Sequence, residues 1–287
     1  FYLLSLRIFG TMQNFVLLGV PLFVFMGMML EKSGIAEKLL ETMALLFGKF
    51  KGGLALSVIV VGALLAASTG IVGATVVTMG LISLPTMLKR GYKPTLAMGT
   101  IAASGTLGQI IPPSVVLILL ASVLNVSVGA LFLAAIVPGL SLIGMYMIYV
   151  IIFAYIYPEQ APAMPSKEII HFRNKGFSKE IIESFLLPLL LVIMVLGTII
   201  GGIASPTEAA GVGAMGVLLL TAQKGKLNKK IITSVTKETL LLTSMVFMIL
   251  IGATAFSLVF RGLQGDKLFL EIISEYNLGP NEFLILV

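Results

Sequence analysis

The sequence predicts an all-α, polytopic membrane protein, and three observations support this fold class. Hydrophobic residues make up 58% of the 287-residue chain, charged residues only 11%, and the mean hydropathy is +1.08. A soluble domain of this length would need far more polar surface to cover itself. Uncharged runs long enough for membrane-spanning helices, which need about 20 residues, recur along the chain. Short basic clusters separate these runs, as topology signals do.

Composition and motifs also exclude several function classes. The net charge of +6 does not indicate nucleic-acid binding, because the basic residues lie in clusters between apolar runs. The sequence has no Cys, which excludes disulfides and thiolate metal sites, and its one His, His171, lies in a polar loop. It contains no Walker A pattern and no pair of residues suited to catalysis within an apolar run. We therefore expect neither a P-loop ATPase nor an intramembrane enzyme.

The first elements are a long uncharged run and an amphipathic segment. Residues 8–30 carry no charge and are long enough to span a membrane. Within residues 31–51, Ile35 and Leu39 follow helical spacing, and Glu37 lies on another face. We expect an interfacial helix there. Because the chain opens and closes inside apolar stretches, we also expect it to be part of a longer protein, incomplete at both ends.

The uncharged run over 52–88 has 37 residues and is too long for one ordinary span. Basic residues flank it on both sides, Lys51 before it and Lys89 after it. The positive-inside rule puts both flanks in the cytoplasm, so the segment must enter the membrane and return. Its midpoint is also its most polar and Gly-rich part. The sequence therefore predicts a helical hairpin over 52–93 that enters from the cytoplasm and turns within 68–73.

The next uncharged run, over 94–158, has room for two spans with a turn at 125–127. The first span contains Gly-Thr-Leu-Gly-Gln-Ile-Ile-Pro-Pro-Ser at 105–114. Pro112 and Pro113 remove two amide donors, and Pro113 disfavours helical backbone at the residue before it. This pattern predicts a helix that is broken in the middle of the membrane.

The remaining segments complete the topology. A polar loop over 159–183 connects two halves, and residues 184–223 predict two antiparallel helices. Residues 224–238 are basic, and residues 239–260 predict a last complete span. With the first run directed inward, 16 of the 19 Lys and Arg residues lie on the cytoplasmic side, as the positive-inside rule requires.

Two parts of the chain resemble each other. Residues 22–41 and 246–271 are each an apolar span rich in Phe and Met, followed by a Gly-containing turn and a Lys-Leu stretch ending in Leu-Glu. The alternative is that apolar helices resemble each other by composition alone. The topology directs the first copy inward and the second outward, which is the relation that an inverted repeat predicts. A second hairpin, entering from the periplasm, is then expected after Val287.

The hairpin tip and the Pro-Pro break are predicted to meet near the middle of the membrane. Non-helical backbone at that depth is tolerated only where it is buried in protein or lines a cavity. Freed carbonyls and neutral hydroxyls are hard ligands that suit an alkali cation such as Na⁺, and helix N-termini suit a carboxylate. The hydroxyls belong to Ser68, Thr69, Ser104, Thr106 and Ser114. The alternative for each is close packing and hydrogen bonding to a carbonyl one turn back.

Glu208 is the one charged residue of 184–223 and bears on the choice of coupling ion. A proton relay needs buried Asp, Glu or His. The sequence Ser205-Pro-Thr-Glu208 instead matches a capping box, with Ser at the N-cap, Pro at the first helical position and Glu two residues later. We assign Ser205 and Glu208 to a structural cap. The shortage of membrane carboxylates favours sodium over proton coupling.

These motifs resemble those of the large membrane subunit of tripartite ATP-independent periplasmic (TRAP) transporters. The matching stretches run in order through the chain at 20–27, 31–35, 67–80, 102–114 and 202–210. The combination of a Ser-Thr-Gly hairpin tip with Gly-Thr-Leu-Gly-x-Ile-Ile-Pro-Pro-Ser is the most specific part of the resemblance.

The resemblance implies an elevator-type transporter, in which a transport domain of two hairpins and two broken helices moves against a fixed scaffold. It implies a sodium gradient as the energy source, with Na⁺ as coupling ion and no other cofactor. It also implies a soluble periplasmic binding protein, a small four-helix membrane subunit and a small carboxylate substrate. The expected location is the bacterial inner membrane. Two alternatives are an ion-coupled anion transporter without a binding protein, and a channel or passive membrane scaffold.

The family's first sodium site maps onto the hairpin tip and the broken helix. The expected sodium ligands are Ser68, Thr69, Gly70, Gly105, Thr106, Pro112 and Ser114. The expected substrate contacts are Thr69, Gly73, Thr75, Ser104 and Pro113.

The same resemblance divides the chain into seven segments. They are a scaffold helix with the amphipathic helix (1–51), the hairpin (52–93), the broken helix (94–128), a further transmembrane helix (129–157), a cytoplasmic connector (158–183), the scaffold helix pair with a basic loop (184–238) and the start of the second inverted repeat (239–287).

Overall fold

The computed structural model describes residues 2–69, 72–165, 181–275 and 279. The regular structure in those ranges is helical, and no strand occurs within them. Among the described residues, three helical segments are long and apolar enough to cross a membrane, judged by length and composition. They are Phe15–Lys32, Val128–Ile156 and Lys229–Gly262. The predicted all-α, polytopic fold class is confirmed.

The described helices are numbered in chain order. They are α1 (Tyr2–Met12), α2 (Gly19–Lys32), α3 (Ile35–Phe47), α4 (Gly53–Thr69), α5 (Val72–Lys89), α6 (Pro94–Thr106), α7 (Val115–Leu124), α8 (Val128–Ile156), α9 (Leu187–Ile200), α10 (Pro206–Gln223), α11 (Lys229–Gly262) and α12 (Gly265–Glu275). Short 3-10 turns lie at Phe15–Leu18 and Leu107–Gln109, and a π-helical turn lies at Ile182–Leu186.

The chain divides into two compact units. The larger, Phe15–Thr243, holds α2 to α10 and the beginning of α11. The smaller consists of Phe1–Asn14 together with Ser244–Val287, and in it α12 follows α11 after a two-residue turn. The predicted hairpin and broken helix both lie in the larger unit.

Helix α4 is the centre of the larger unit because it is apolar on all sides. Its residues from 53 to 59 are all buried, and it packs against α2, α3, α5 and α6. A helix that is hydrophobic all round needs neighbours on every face. The buried Ser57 hydroxyl donates to the Gly53 carbonyl at 2.8 Å, so this polar group is satisfied within the helix.

Helix α3 lays one apolar face on α4. Ile35, Leu39 and Met43 are buried, whereas Glu37 and Glu41 are exposed. The amphipathic pattern predicted from the sequence is therefore confirmed, and part of its apolar face is covered by protein. A position at the membrane interface stays a prediction.

Helices α9 and α10 are the two helices predicted within 184–223, and they pack with α2. A Cβ added at Gly213 of α10 would lie 2.7 Å from the Sδ atom of Met26 and 3.0 Å from Cγ2 of Val195. At the start of α10, the Thr207 hydroxyl donates to the Phe15 carbonyl at 2.9 Å. The absence of a side chain at Gly213 thus allows three helices to approach closely.

A capping box begins α10. The Ser205 hydroxyl accepts a hydrogen bond from the Glu208 N–H at 3.3 Å, and the Glu208 carboxylate accepts one from the Ser205 N–H at 2.7 Å. The first turn of a helix leaves its N–H groups without intrahelical partners, and this arrangement satisfies two such donors. Ser205 and Glu208 therefore form the cap that their spacing predicts.

Two predicted helix boundaries are wrong. The uncharged run over 8–30 is not one helix, since α1 ends at Met12 and two polar residues precede the next turn. An Asn side chain at such a point competes for local backbone hydrogen bonds. The predicted basic loop over 224–238 is helical from Lys229 onwards. Asn228 caps that helix, because its side-chain oxygen accepts from the Ile231 N–H at 2.8 Å.

The start of the predicted connector is held against the base of the hairpin. The Gly52 N–H donates to the Ala161 carbonyl at 2.8 Å, and the Lys93 N–H donates to the Gln160 carbonyl at 3.0 Å. One short segment thus joins the beginning of α4 to the beginning of α6. His171 lies outside the described residues.

Candidate functional site

The predicted break in the first span of 94–158 is present. Helix α6 ends at Thr106, one 3-10 turn follows, and α7 begins at Val115. Pro112 and Pro113 lie buried between them, joined by a cis peptide bond. Because proline has no N–H and clashes with the preceding turn, the helix cannot continue through this pair.

Ser114 begins α7 from a fully buried position. Its exposed fraction is 0%, and its hydroxyl accepts from the Leu117 N–H at 3.4 Å as an N-cap. The same hydroxyl donates to the Gln109 carbonyl at 2.9 Å, which links the two sides of the break. The free N–H groups and partial positive charge of the α7 N-terminus are the features that bind anions.

The end of α6 approaches α5 of the hairpin almost to backbone contact. A Cβ added at Gly105 would lie 2.3 Å from Cγ2 of Val76 and 3.1 Å from the backbone nitrogen of the same residue. On the other arm of the hairpin, a Cβ added at Gly62 of α4 would lie 2.6 Å from the hydroxyl oxygen of Ser104, the residue before Gly105. Both arms of the hairpin therefore touch α6 just before its break. The meeting of the hairpin tip with the Pro-Pro pair itself stays a prediction, because the tip, residues 70 and 71, lies outside the described residues.

Each described hydroxyl at the break donates to a nearby backbone carbonyl. The buried Ser104 donates to Ile101 at 3.0 Å, and the exposed Thr106 donates to Ala103 at 2.8 Å. This is the back-bonded alternative that the sequence left open. A donating hydroxyl keeps its oxygen lone pairs, so the same side chains can still offer neutral oxygen ligands to a cation.

The hairpin turn is only partly described. Helix α4 ends at Thr69 and α5 begins at Val72, so the turn falls inside the predicted range. Gly70 lies outside the described residues, and so do the positions of the Ser68 and Thr69 side chains. Their roles as ligands stay predictions.

The first turns of α5 carry the two remaining predicted substrate contacts. Gly73 is exposed, and a Cβ added there would meet nothing within 4 Å. Thr75 is 2% exposed and lies one residue before the Val76 contact with α6. Gly73 is thus open and Thr75 is packed, and their roles as substrate contacts stay predictions.

The electrostatics of this neighbourhood come from neutral groups. Among the described residues, no cluster of three or more His, Cys, Asp or Glu side chains is suited to hold a metal ion. The break instead combines a helix N-terminus with hydroxyl and carbonyl oxygens. Such groups suit a weakly bound alkali cation and the carboxylate of a small anion.

Sequence reasoning missed a carboxylate that contacts α5, the second arm of the hairpin. Glu31, in the last turn of α2, accepts a hydrogen bond from the Thr78 hydroxyl of α5. The adjacent Lys32 pairs with Glu238 of α11 at 2.6 Å. Glu31 had been assigned to the amphipathic cytoplasmic segment because it follows an apolar run. The sequence shows only a charge at the end of an apolar run, and it indicates neither that this charge is half-buried nor which residue pairs with it.

The whole described chain resembles known permeases. Residues 2–287 match the family described as Tripartite ATP-independent periplasmic transporter, DctM component. The chain is 32% identical to the C4-dicarboxylate TRAP transporter large permease protein DctM of Pseudomonas aeruginosa, over 99% of this chain and 65% of that protein. It is 31% identical to the Ectoine TRAP transporter large permease protein TeaC of Halomonas elongata, over 94% of this chain and 62% of that protein.

A third relative has another named substrate. The Sialic acid TRAP transporter large permease protein SiaM of Vibrio cholerae is 29% identical, over 98% of this chain and 64% of that protein. The chain therefore spans less than two thirds of the length of these curated relatives.

The extent of the family match decides the class of protein. It covers nearly every residue, and the apolar helices fit a multi-pass protein of the bacterial inner membrane. The family consists of transporter permeases and not of enzymes. The chain belongs to the DctM component family of tripartite ATP-independent periplasmic transporters.

Proposed function

We propose that the complete protein containing this chain takes up a small organic acid by sodium-coupled secondary transport. A periplasmic binding protein delivers the substrate, and a small four-helix membrane subunit accompanies the permease. The names of three relatives support a substrate with a carboxylate group, since C4-dicarboxylates, ectoine and sialic acid all carry one, whereas a further relative is named for isethionate, a sulfonate. The binding protein determines in part which of these compounds, or which other acid, the permease transports.

One observation supports this proposal above the others: both arms of the hairpin touch α6 beside a buried helix break. The Gly105 contact with Val76 and the Gly62 contact with Ser104 bring helix ends, backbone carbonyls and hydroxyls together. Non-helical backbone is costly in a membrane protein unless it is buried or lines a cavity. A site for an ion and a polar substrate would explain why the protein keeps this costly non-helical backbone.

The proposed sodium site lies between the hairpin tip and the break. The ligands are oxygen atoms of residues at the tip and of the broken helix: Ser68, Thr69, Gly70, Gly105, Thr106, Pro112 and Ser114. Hydroxyl and carbonyl oxygens suit Na⁺, and they carry no charge that would have to be neutralised when the ion leaves. The ion can therefore be released at the low cytoplasmic sodium concentration.

The proposed substrate contacts lie beside that site: Thr69, Gly73, Thr75, Ser104 and Pro113. The Thr69 hydroxyl can donate to a carboxylate, whereas the Ser104 hydroxyl can do so only if it leaves the Ile101 carbonyl, and the positive N-terminus of α7 adds a favourable field. Sodium and carboxylate would then attract each other across a short distance. This mutual attraction is the physical basis of coupling, because each ligand raises the affinity for the other.

Alternating exposure of the site follows if the hairpin and broken helix move as one body. The contacts between α4, α5 and α6 keep that body together. The proposed movement is of the elevator type, in which this body slides against the remaining helices. The permease then opens the site to the periplasm and to the cytoplasm in turn.

Thermal stability of the complete permease with its small subunit tests sodium binding. Stability is compared in NaCl and KCl at equal ionic strength. A ligand that binds only the folded state stabilises it by about 2.7 kcal/mol at 100 times its Kd. We expect a sodium-specific rise in the midpoint of unfolding, and equal midpoints in the two salts would contradict the proposal.

Uptake by proteoliposomes tests the transport function itself. The expected uptake saturates with substrate, requires the binding protein and stops when potassium replaces sodium. Uptake without the binding protein would identify an ion-coupled anion transporter that works alone. Flux that neither saturates nor depends on sodium would identify a channel.

A further inference from the structure

Glu31 connects α2 to the second arm of the hairpin. It lies in the last turn of α2 and is half-buried, and its carboxylate accepts a hydrogen bond from the Thr78 hydroxyl of α5. The side chain of Lys32 pairs elsewhere, with Glu238 of α11 at 2.6 Å. A half-buried carboxylate is costly unless a donor satisfies it. The Thr78 hydroxyl is such a donor, and it comes from the helix that carries Gly73 and Thr75.

The position of Thr78 along α5 determines how far each end of α5 lies from Glu31 along the helix axis. Thr78 lies six residues after the first residue of α5 and eleven before the last, Lys89. At 1.5 Å per residue, these separations are about 9 Å and about 16 Å along the helix axis. The C-terminal end of α2 points to the cytoplasm by the distribution of basic residues. With the α5 axis along the membrane normal, the hairpin base would extend about 16 Å beyond Glu31 towards the cytoplasm.

Helix α3 connects the end of α2 to the base of the hairpin. It begins at Ile35, two residues after α2 ends, and its other end lies close in sequence to the start of α4 at Gly53. Its 13 residues span about 20 Å, and they pack against α4 along the buried face. The chain thus needs a whole helix to travel from the end of α2 to the hairpin base.

We propose that Glu31 is a positioning residue that holds the hairpin, through Thr78, in a position facing the cytoplasm. This inference rests on the proposed alternating exposure of the site. A hydrogen bond tolerates a shift of only a few tenths of an ångström, whereas one turn of α5 is about 5.4 Å. Movement of the hairpin by one turn or more towards the periplasm breaks the bond. The bond therefore stabilises only one of the two positions.

The test measures from which side of the membrane the hairpin tip is accessible. Gly73→Cys provides the reporter, because residue 73 is exposed with open space around its Cβ position. The 287-residue sequence contains no Cys, so the reporter is the single thiol of this region. The complete permease and its small subunit are reconstituted in oriented vesicles. Any Cys in the small subunit, or in the permease outside these 287 residues, is first replaced. Rates of labelling by a membrane-impermeant maleimide are measured from each side.

The expected change is a shift in the ratio of cytoplasmic to periplasmic labelling rates. Glu31→Ala and Thr78→Val should each lower the ratio by about tenfold to a hundredfold, the change expected for a lost hydrogen bond to a charged group. The double variant should lower it no further than either single variant, because both remove the same bond. Glu31→Gln should keep the labelling ratio close to its wild-type value, since the side-chain oxygen of Gln can also accept a hydrogen bond from Thr78.

Glu37→Ala is the matched control, because Glu37 is an exposed carboxylate on α3. Its ratio should equal that of the wild type. Unchanged ratios in both Glu31→Ala and Thr78→Val would overturn the inference, as would additive effects in the double variant. Lower yields of folded protein with an unchanged ratio would also overturn it, because they indicate a structural role only.

The difference in unfolding midpoint between NaCl and KCl is also measured, on the purified permease that has the natural residues at 31 and 78. If sodium stabilises the protein and the ratio does not change, the positioning role fails and the proposed function stands. If the ratio changes and sodium has no specific effect, the positioning role stands and the sodium coupling fails.

Discussion

Helices are interrupted in two different ways on the two sides of α7. On one side, eight residues between Thr106 and Val115 leave the α-helical path, and several of them are buried. On the other side, three exposed residues, 125–127, separate α7 from α8. A Ser caps the following helix in both cases, with the same distance of 3.4 Å from its hydroxyl to a backbone N–H.

The difference between these two interruptions lies in their surroundings. Ser114 is fully buried and also binds the Gln109 carbonyl, whereas Ser127 is exposed. An exposed turn is satisfied by water and needs no further explanation. A buried interruption has to satisfy its polar groups within the protein, and membrane proteins keep such backbone where an ion or substrate passes. The comparison therefore identifies the first interruption, and not the second, as the candidate site.

The largest expected effect tests the close approach beside the buried interruption. Gly105→Val should lower the free energy of unfolding by about 3 kcal/mol, because the new side chain overlaps Val76 and its backbone. Gly99→Val in the same helix is the control, since a Cβ there meets nothing within 4 Å and should change stability by less than about 0.5 kcal/mol. Denaturation midpoints in detergent measure both. Equal effects would contradict the close packing of α6 on α5.

The next largest effect compares the two capping serines directly. Ser127→Ala should cost about 1 kcal/mol for the lost cap. Ser114→Ala should cost about 2 kcal/mol, because the fully buried Ser114 hydroxyl provides both a cap and a hydrogen bond to the Gln109 carbonyl. The same denaturation measurement distinguishes them. A smaller cost at Ser114 than at Ser127 would show that burial does not separate the two interruptions.

A smaller effect is expected at the exposed turn itself. Asn125 has φ +53°, a left-handed conformation that Asn tolerates better than most residues. Asn125→Ala should cost about 1 kcal/mol, whereas Asn125→Gly should be neutral within about 0.5 kcal/mol. Neither variant should alter sodium dependence. A changed sodium response would move part of the site to this turn.

The smallest effect is expected at the third capped helix. Glu208→Gln keeps an oxygen that can accept from the Ser205 N–H, so stability should fall only slightly and ion coupling should not change. Uptake at normal expression, measured as a function of sodium concentration, is the check. Loss of coupling at normal expression would assign Glu208 a role in transport.

Local signals in the sequence were sufficient for most helix ends. The Pro-Pro pair, the turn at 125–127 and the capping box at Ser205 each depend on residues close in the chain, and each is present as predicted. The internal similarity also has a structural counterpart, because Gly34 and Gln264 are both left-handed and occupy the same place in their turns. Gly34 and Gln264 are separated by the same number of residues as Glu41 and Glu271, the last residues of the two similar stretches.

Contacts between distant parts of the chain were not predictable in this way. The pairing of Glu31 with Thr78 joins helices that the sequence treats separately, and the pattern of either helix alone does not reveal it. The extension of α11 back to Lys229 was missed because charge was used as a sign of a loop, although Lys is a good helix former. The close approach at Gly105 depends on which face of α6 meets the hairpin, and the small, polar and apolar residues of α6 are spread round the helix and do not indicate that face.

The most direct test of the account measures sodium-specific stabilisation in Ser114→Ala and Ser127→Ala. Both variants lose an N-cap of the same geometry, so a general loss of stability affects both. The account predicts that Ser127→Ala keeps the full difference in unfolding midpoint between NaCl and KCl, and that Ser114→Ala loses most of it. An equal difference in both variants would contradict the assignment of the sodium site to the buried helix break.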